Sequence, residues 1–324
     1  MAQSSEQTSS FLPTQAAIAL DSLRVIRVHG PGTDQFLNGQ LSQKLDEVTS
    51  QWAPRAAACT PKGRTYALTR LVRDGDDVLF CLPEETADNT LAQLKKYVML
   101  FRGTSLEDDS QWKILGILGL GPVERSFPEA LQSLTAPSTA AVVDKGILVR
   151  TENTAEGQPR FELWHSRDAS ALAGDGTQEH VWHASEIAAG IARLVPEAYE
   201  QYVPQMLNWQ HVNGVHFKKG CYTGQEIVAR MHYLGQLKKS LYRLSISGSV
   251  IAPGPGTPVM TGDKAAGEIV NAVKIADDET LALAVLRHDR AGDDLILSAT
   301  PEATLHRQPL PYSVPEQEQK ESQE

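Results

Sequence analysis

The chain reads as an α+β protein that ends in a small β-barrel, and three observations predict this. Strand-like apolar runs alternate with helical periodicity through the first two thirds of the chain. Turns rich in glycine and proline punctuate those runs, and beyond Leu237 the texture changes to short apolar runs alone. A chain of 324 residues exceeds one compact core, so two or three domains are expected.

Taken in order, residues 1–20 read as a polar leader. Leu23 to His29 alternates as a strand does, and Gly30-Pro31-Gly32 ends it. Thr33-Asp34 starts a helix whose face carries Phe36, Leu37 and Leu41. Ala56 to Cys59 and Tyr66 to Val72 are strands on either side of the turn Pro61-Lys62-Gly63, and Asp74-Gly75-Asp76-Asp77 turns the chain into Val78 to Leu82. Glu84 to Val98 is helical, with Leu91, Leu94 and Val98 on one side. Lys113 to Leu120 opens a second unit, followed by a helical stretch around Glu129 to Leu134 and strands at Gly146 to Arg150 and Phe161 to His165. A further helix is expected over Glu186 to Leu194, and the barrel strands over Leu241 to Ile246, Glu268 to Val273 and Thr280 to Leu286. The expected domains are an α+β core of residues 21–112 with 180–236, a second α+β unit of 113–179, and a barrel of 237–313. The charged, glutamine-rich tail 314–324 is expected to be disordered.

A hydrophobic content of 41% with 22% charged residues is ordinary for a soluble protein. Met1 to Ser10 has neither a basic region nor an apolar signal core, and the apolar run Ile114 to Leu120 is too short to cross a bilayer, so a cytoplasmic location without membrane contact is expected. The net charge of -10 opposes broad, sequence-independent nucleic-acid binding. Cys59, Cys81 and Cys221 form no C-x-x-C pair, and the nine histidines show no ligand spacing, so no stably bound metal is expected.

The densest chemistry lies in Phe217-Lys218-Lys219-Gly220-Cys221-Tyr222-Thr223-Gly224-Gln225-Glu226. Gly220 and Gly224 suit a tight turn that presents Cys221. Thr223 and Glu226 have the spacing of a capping box, and from Gln225 a helix would carry Ile227, Val228, Met231 and Leu234 as its apolar stripe. A thiol just before a helix start, beside Lys218 and Lys219, is shifted towards the reactive thiolate. The plainer alternative makes Cys221 a small buried hydrophobe and Glu226 a cap. Lys218, Lys219, Arg230, Lys238, Lys239 and Arg243, interleaved with Tyr222, His232, Tyr233 and Tyr242, form a basic segment suited to an anionic partner, or equally to a solvated face.

The run Lys219 to Glu226 resembles the signature of the YgfZ family, folate-binding proteins implicated in iron-sulfur cluster assembly or repair and in tRNA thiomethylation. The resemblance continues through Val228-Ala229-Arg230, Val203-Pro204-Gln205, Leu207-Asn208, Phe36 to Leu41, Lys62-Gly63-Arg64 and Leu310-Pro311-Tyr312-Ser313, and so spans nearly the whole chain. It implies a three-domain ring around a central hole, folate-binding and like the aminomethyltransferase of glycine cleavage, with the barrel at its C-terminal end. It implies tetrahydrofolate or a derivative as cofactor, contacted by Trp182, by Leu23 where the family has a second aromatic, and by Tyr222, Gln225 and Glu226. Cys221 would be the functional thiol with Lys219 beside it. Iron-sulfur enzymes, including radical enzymes that thiomethylate tRNA, would be the partners, with direct tRNA contact left open.

One departure bears on chemistry. The related aminomethyltransferases place an acid shortly after the turn at Gly63, where this chain has Thr65, Tyr66, Ala67 and Leu68. Without that carboxylate the same amine transfer is not expected, and Asp34 or Glu186 are the candidates to replace it. The reading is an accessory factor rather than an aminomethyltransferase. A folate-dependent one-carbon transferase with a relocated acid is the alternative, and a cysteine-nucleophile enzyme, lacking an assignable activating histidine, is the third.

Overall fold

A computed structural model describes residues 11–315 and 317, apart from 145, 168–172, 236, 249–250 and 293. The chain begins with β1 (Ala16–Ala19), β2 (Leu23–His29), α1 (Thr33–Gln40), β3 (Arg55–Cys59), β4 (Thr65–Asp74), β5 (Asp77–Pro83), α2 (Glu84–Val98) and β6 (Ser105–Asp108). All of these strands except β1 build an antiparallel sheet in the order β3-β4-β5-β2-β6. Gly75 takes φ 60° in the tight β4–β5 turn, a conformation in which a side chain is strained. Phe36 and Leu37 of α1 and Leu91 and Leu94 of α2 pack with Ile26, Leu71 and Phe80 of this sheet. Helix α2 also carries Glu84 and Glu85 in its first turn and Lys95 and Lys96 in its last, which suits its dipole.

A second antiparallel sheet follows from β7 (Trp112–Leu118), α3 (Gly121–Ser126), β8 (Ala140–Val143), β9 (Gly146–Thr151) and β10 (Arg160–Ser166), in the order β1-β7-β10-β9-β8. Strand β1 crosses from the N-terminal part of the chain to pair with β7, and its Ile18 is buried among Leu118, Ile147 and Trp164. Residues 16–19 are therefore sheet rather than polar leader; the small apolar run Ala-Ala-Ile-Ala is short enough to escape notice after a polar stretch. The helix expected around Glu129 to Leu134 is only a 3-10 turn, Ala130–Gln132. The regular helix of this region, α3, opens earlier at Gly121-Pro122, where proline lacks an N–H that the first turn would leave unpaired.

Helix α4 (Glu179–Ala188) begins seven residues before the expected Glu186 start. It ends just before Gly190, which takes φ 66°, and the chain runs on without helix through the buried Ile191, Ala192 and Leu194. Two 3-10 turns, Pro204–Leu207 and Trp209–Val212, lead to α5 (Gln225–Tyr233). The last unit comprises β11 (Lys239–Ser247), β12 (Pro258–Thr261), β13 (Lys264–Ala276), β14 (Glu279–Arg287), β15 (Leu295–Leu297) and β16 (Thr304–Gln308). Its order is β15-β12-β13-β14-β11-β16, and the outer strands β15 and β16 pack on each other, so the sheet curls into a barrel. Bulges in β13 between Ile269 and Asn271 and between Lys274 and Ala276 supply bending.

One buried cluster joins the units: Ala57 and Leu68 of the first sheet, Ile187 to Leu194, and Leu241, Val270 and Leu283 of the barrel. Asn208, at φ 56°, clamps it by donating to the Leu241 carbonyl at 2.9 Å and accepting from the Leu241 N–H at 3.2 Å. Beside the same cluster, Tyr312 donates its hydroxyl proton to the Gly190 carbonyl, and a Cβ at Gly190 would lie 2.7 Å from both Leu310 and Tyr312. The expected disordered tail is corrected at its start. Val314 is buried, and the Gln317 amide donates to Ser240 Oγ at 2.6 Å and the Leu241 carbonyl at 3.0 Å. Residues 316 and 318–324 lie outside the described residues, as do residues 1–10 of the expected leader.

Candidate functional site

The loop before α5 is held from below and open above. Lys219 is buried, and its ammonium donates to the Asn38 and Leu41 carbonyls, each at 2.6 Å, at the C-terminal end of α1. The Thr223 N–H donates to the Gly39 carbonyl at 3.1 Å, so three carbonyls of the Phe36 to Leu41 segment receive the loop. Burial pushes the Lys219 ammonium down to about 7, against an opposing pull from Cys221. Tyr222 is also buried, with the Lys219 ammonium 4.7 Å from its ring centroid, and burial pushes its hydroxyl up.

Gly224 takes φ 85°, and a Cβ there would lie 2.5 Å from the Thr60 carbonyl oxygen. Gly63 takes φ 70°, and its Cβ would meet Ile227 of α5 at 2.8 Å. The two glycines thus let the β3–β4 turn seat directly on the loop. Cys221 is the exposed member of the three free cysteines. Burial pushes the Cys59 and Cys81 thiols up to about 12, which leaves them inert near neutral pH.

The capping box is absent: Gly224 is the residue that caps α5, no side chain bonds there, and Glu226 is exposed. Of the expected apolar stripe only Val228 is buried, whereas Leu234 is 84% exposed. The helix is instead held by the Gln205 amide, which donates to the Val228 carbonyl at 2.6 Å.

A second constellation surrounds a cavity of about 60 Å³ between the first sheet, the second sheet and α4. Leu23 and Trp182 both line it, together with Arg55, Glu162, Glu186, Arg193 and Trp209. Trp182 lies flat against Gly116, where a Cβ would come within 2.4 Å of the indole, and the Arg160 guanidinium sits 4.2 Å from its ring centroid. Tyr222, Gln225, Glu226, Lys219 and Cys221 do not line this cavity. The expected cofactor contacts are therefore divided, with Trp182 and Leu23 brought together and Tyr222, Gln225 and Glu226 placed on the loop. Asp34 lines neither; it pairs with Arg73 at 2.8 Å beside a separate groove.

Beneath the cavity lies a buried charge layer that sequence reasoning missed. Arg55 and Arg70 are directly opposite on β3 and β4, a like-charge pairing that is unfavourable unless compensated. Compensation comes from the second sheet: Arg55 donates to Glu152 at 2.8 Å and Arg70 to Glu162 at 2.8 Å. Burial raises the Glu152 carboxyl, but the Arg55 and Arg70 charges and hydrogen bonds outweigh it and hold the group at about 2. Burial pushes the Arg160 guanidinium down to about 10. The available signal was an arginine inside an apolar strand, Tyr66 to Val72, and another opening the small-residue run Ala56 to Cys59.

The groups around the cavity are of the kind a reduced pterin would need, but the space is not. Trp182 and Leu23 offer apolar walls, and Arg193 Nε and Trp209 Nε1 are buried N–H groups without a hydrogen-bond partner among the described residues. Glu186 is half-buried and lines the cavity, and its carboxylate makes no hydrogen bond among the described residues, so it is free to accept paired ring N–H donors. The volume is far below the roughly 300–1,000 Å³ of a ligand pocket, so a ring enters only if these walls part. Among the described residues no group of three or more His, Cys, Asp or Glu is arranged to hold a metal, and no helix is long and apolar enough to cross a membrane.

These features can be set beside known proteins. A protein of Escherichia coli O17:K52:H18 (strain UMN026 / ExPEC) named tRNA-modifying protein YgfZ is 30% identical over 324 residues, covering 96% of this chain and 97% of its own. The YgfZ of Yersinia pestis (strain Pestoides F) is 30% identical over 323 residues, covering 95% of each. The chain belongs to the YgfZ family. Residues 238–316 also match the C-terminal β-barrel domain of CAF17. The structure is similar to the glycine cleavage system aminomethyltransferase T from Bartonella henselae, with a TM-score of 0.69 at 13% identity, covering 94% of this chain and 87% of that one. The fold of this YgfZ-family chain is accordingly aminomethyltransferase-like, with a C-terminal barrel.

Proposed function

We propose that this YgfZ-family chain acts in tRNA modification as a folate-binding accessory factor, supporting the iron-sulfur enzymes that thiomethylate tRNA, with Cys221 as its reactive thiol. The observation that carries the reading is the loop that bears Cys221. Lys219, Thr223 and Gly224 lock it onto α1 and the β3–β4 turn, while the thiol itself is left exposed. A rigid presentation of one accessible thiol suits encounter with a protein partner rather than a buried reaction. Tetrahydrofolate or a derivative would be held at the cavity by Trp182 and Leu23, with Glu186, Arg193 and Trp209 meeting the ring edges. The one-carbon transferase reading rests on Glu186, the cavity carboxylate left without a hydrogen bond; turnover of methylene-tetrahydrofolate lost in Glu186→Gln would favour it.

The test is complementation of a strain lacking the protein, with wild type or Cys221→Ser at matched abundance. Methylthio-modified tRNA and the activity of several iron-sulfur enzymes should fall with Cys221→Ser, and equal rescue by both proteins sinks the thiol role. Calorimetric titration with formyltetrahydrofolate tests the other half. Binding weakened about tenfold in Glu186→Gln is expected from the loss of one charge-assisted contact, and an unchanged affinity removes Glu186 from the site.

A further inference from the structure

The outward face and C-terminal end of α5 carry a surface that the proposed folate and thiol chemistry does not use. From Phe217 to Arg243 the chain has six Lys and Arg against one Glu, inside a protein of net charge -10. Lys218, Arg230 and Lys238 are exposed there and make no ion pair among the described residues. Within the same segment Arg243 is buried and paired with Glu156, and elsewhere Arg24, Arg27, Arg55, Arg70 and Arg73 are matched to carboxylates, whereas the exposed Lys62 and Arg102 make no ion pair among the described residues. Lys218 adjoins Phe217 in the chain and Arg230 lies one helical turn before Tyr233, so these two cations flank an aromatic cluster, with Lys238 following where the chain enters the barrel. Phe217 and His232 stack with ring centroids 3.6 Å apart and planes 11° apart, and Tyr233 meets both edge-on while remaining 62% exposed.

From this juxtaposition we infer that the face is a docking surface for an unpaired segment of RNA, with Tyr233 stacking on a base and Lys218, Arg230 and Lys238 meeting phosphates. Charge complementarity selects an anion, and the composition selects its class. Lysine is depleted in protein–protein interfaces but serves phosphate well as a point charge. Exposed aromatic rings beside cations are the stacking platforms of single-strand binding. The overall negative charge works in the same direction, because it suppresses non-specific binding away from the patch. Helix α5 then acts as a spacer of about 12 Å between the docking end and the end that follows Cys221.

The inference extends the tRNA part of the proposed function, and its test is independent of folate and thiol. Fluorescence anisotropy of the full chain would be measured with a labelled hairpin RNA bearing an unpaired loop, and with a blunt duplex of equal length. The hairpin should bind more tightly, Tyr233→Ala and Arg230→Ala should each weaken it about tenfold, and Tyr233→Phe should restore it. Affinity should fall with salt, at a log–log slope of about -0.7 per phosphate engaged. Both positions are exposed, and an unchanged melting temperature shows that the variants fold. Absence of hairpin binding by the wild type at low salt overturns the inference, as does equal binding by Tyr233→Ala. Displacement of the RNA by an oligoglutamate peptide at equal charge also overturns it, in favour of an acidic protein. Folate titration of the same variants separates the failures: intact folate binding with no RNA binding removes the docking surface alone, and the converse removes the folate reading alone.

Discussion

Between the two sheets, Arg55 and Arg70 are buried, face each other across β3 and β4, and are each met by a carboxylate from the second sheet. On the α5 face, Lys218, Arg230 and Lys238 are exposed and meet none among the described residues. The same residue types thus serve opposite ends. The buried set fixes how two sheets register, because every charge removed strands another in a buried layer. The exposed set contributes little to folding and keeps its charge for something outside the chain.

Removing one charge from each set separates their roles. Glu162→Ala leaves Arg70, whose side chain is 1% exposed, without its partner and takes the acceptor from Trp164 Nε1 as well. The expected loss is about 3–5 kcal/mol of unfolding free energy, read from the urea midpoint. Arg230→Ala should stay within about 0.5 kcal/mol of wild type. If the two variants shift the midpoint alike, the buried layer is not what joins the sheets.

Acid sharpens the same contrast. Glu152 titrates at about 2 in the folded chain against an ordinary 4.5, so its stabilising contribution is complete above pH 4.5 and is lost as pH falls towards 2. At about 1.4 kcal/mol per unit the contribution is on the order of 3 kcal/mol. Glu152→Gln should lower stability near neutrality and flatten the dependence between those limits. Removal of Lys218 or Arg230 should leave the acid limb where it is, and an acid limb unchanged in Glu152→Gln would show that other carboxylates set it.

What the sequence disclosed and what it hid divide along physical lines. Leu23 to His29 and Glu84 to Val98 were legible to the residue, because alternation and helical period are local and Gly30-Pro31-Gly32 and Pro83 punctuate them. The start of α4 was not, because Gln178 carries no capping side chain and the apolar run Ile187 to Leu194 imitates a helix past its end at Gly190. The thiol loop was legible as a motif, yet its apparent capping box dissolved once Gly224 was needed, without a side chain, against Thr60. Lys219 read as a cation beside a thiol; its ammonium is in fact turned into α1 carbonyls that are 178 or more residues away in sequence. The buried layer was the least legible. Arg55 and Arg70 matter because of a cross-strand register and because of partners on another sheet, and neither is a property of a local window.

The smallest effect separates the two ends of the loop itself. Gly220 and Gly224 flank the three-residue run Cys221 to Thr223, but only Gly224 is confined. Gly224→Ala places a Cβ 2.5 Å from the Thr60 oxygen at a φ of 85°, and should cost about 2 kcal/mol, with α5 displaced from the β3–β4 turn. At Gly220 a Cβ would find nothing within 4 Å, and the residue is not among those of positive φ. Gly220→Ala should therefore be neutral or stabilising by up to about 1 kcal/mol, through the reduced freedom of the unfolded chain, as thermal unfolding would show. Alkylation of Cys221 by iodoacetamide should proceed at a similar rate in this variant. A destabilised Gly220→Ala would mean that the thiol end of the loop is packed as tightly as the Gly224 end. The division between a locked base and an open tip would then fail at the residue beside the thiol.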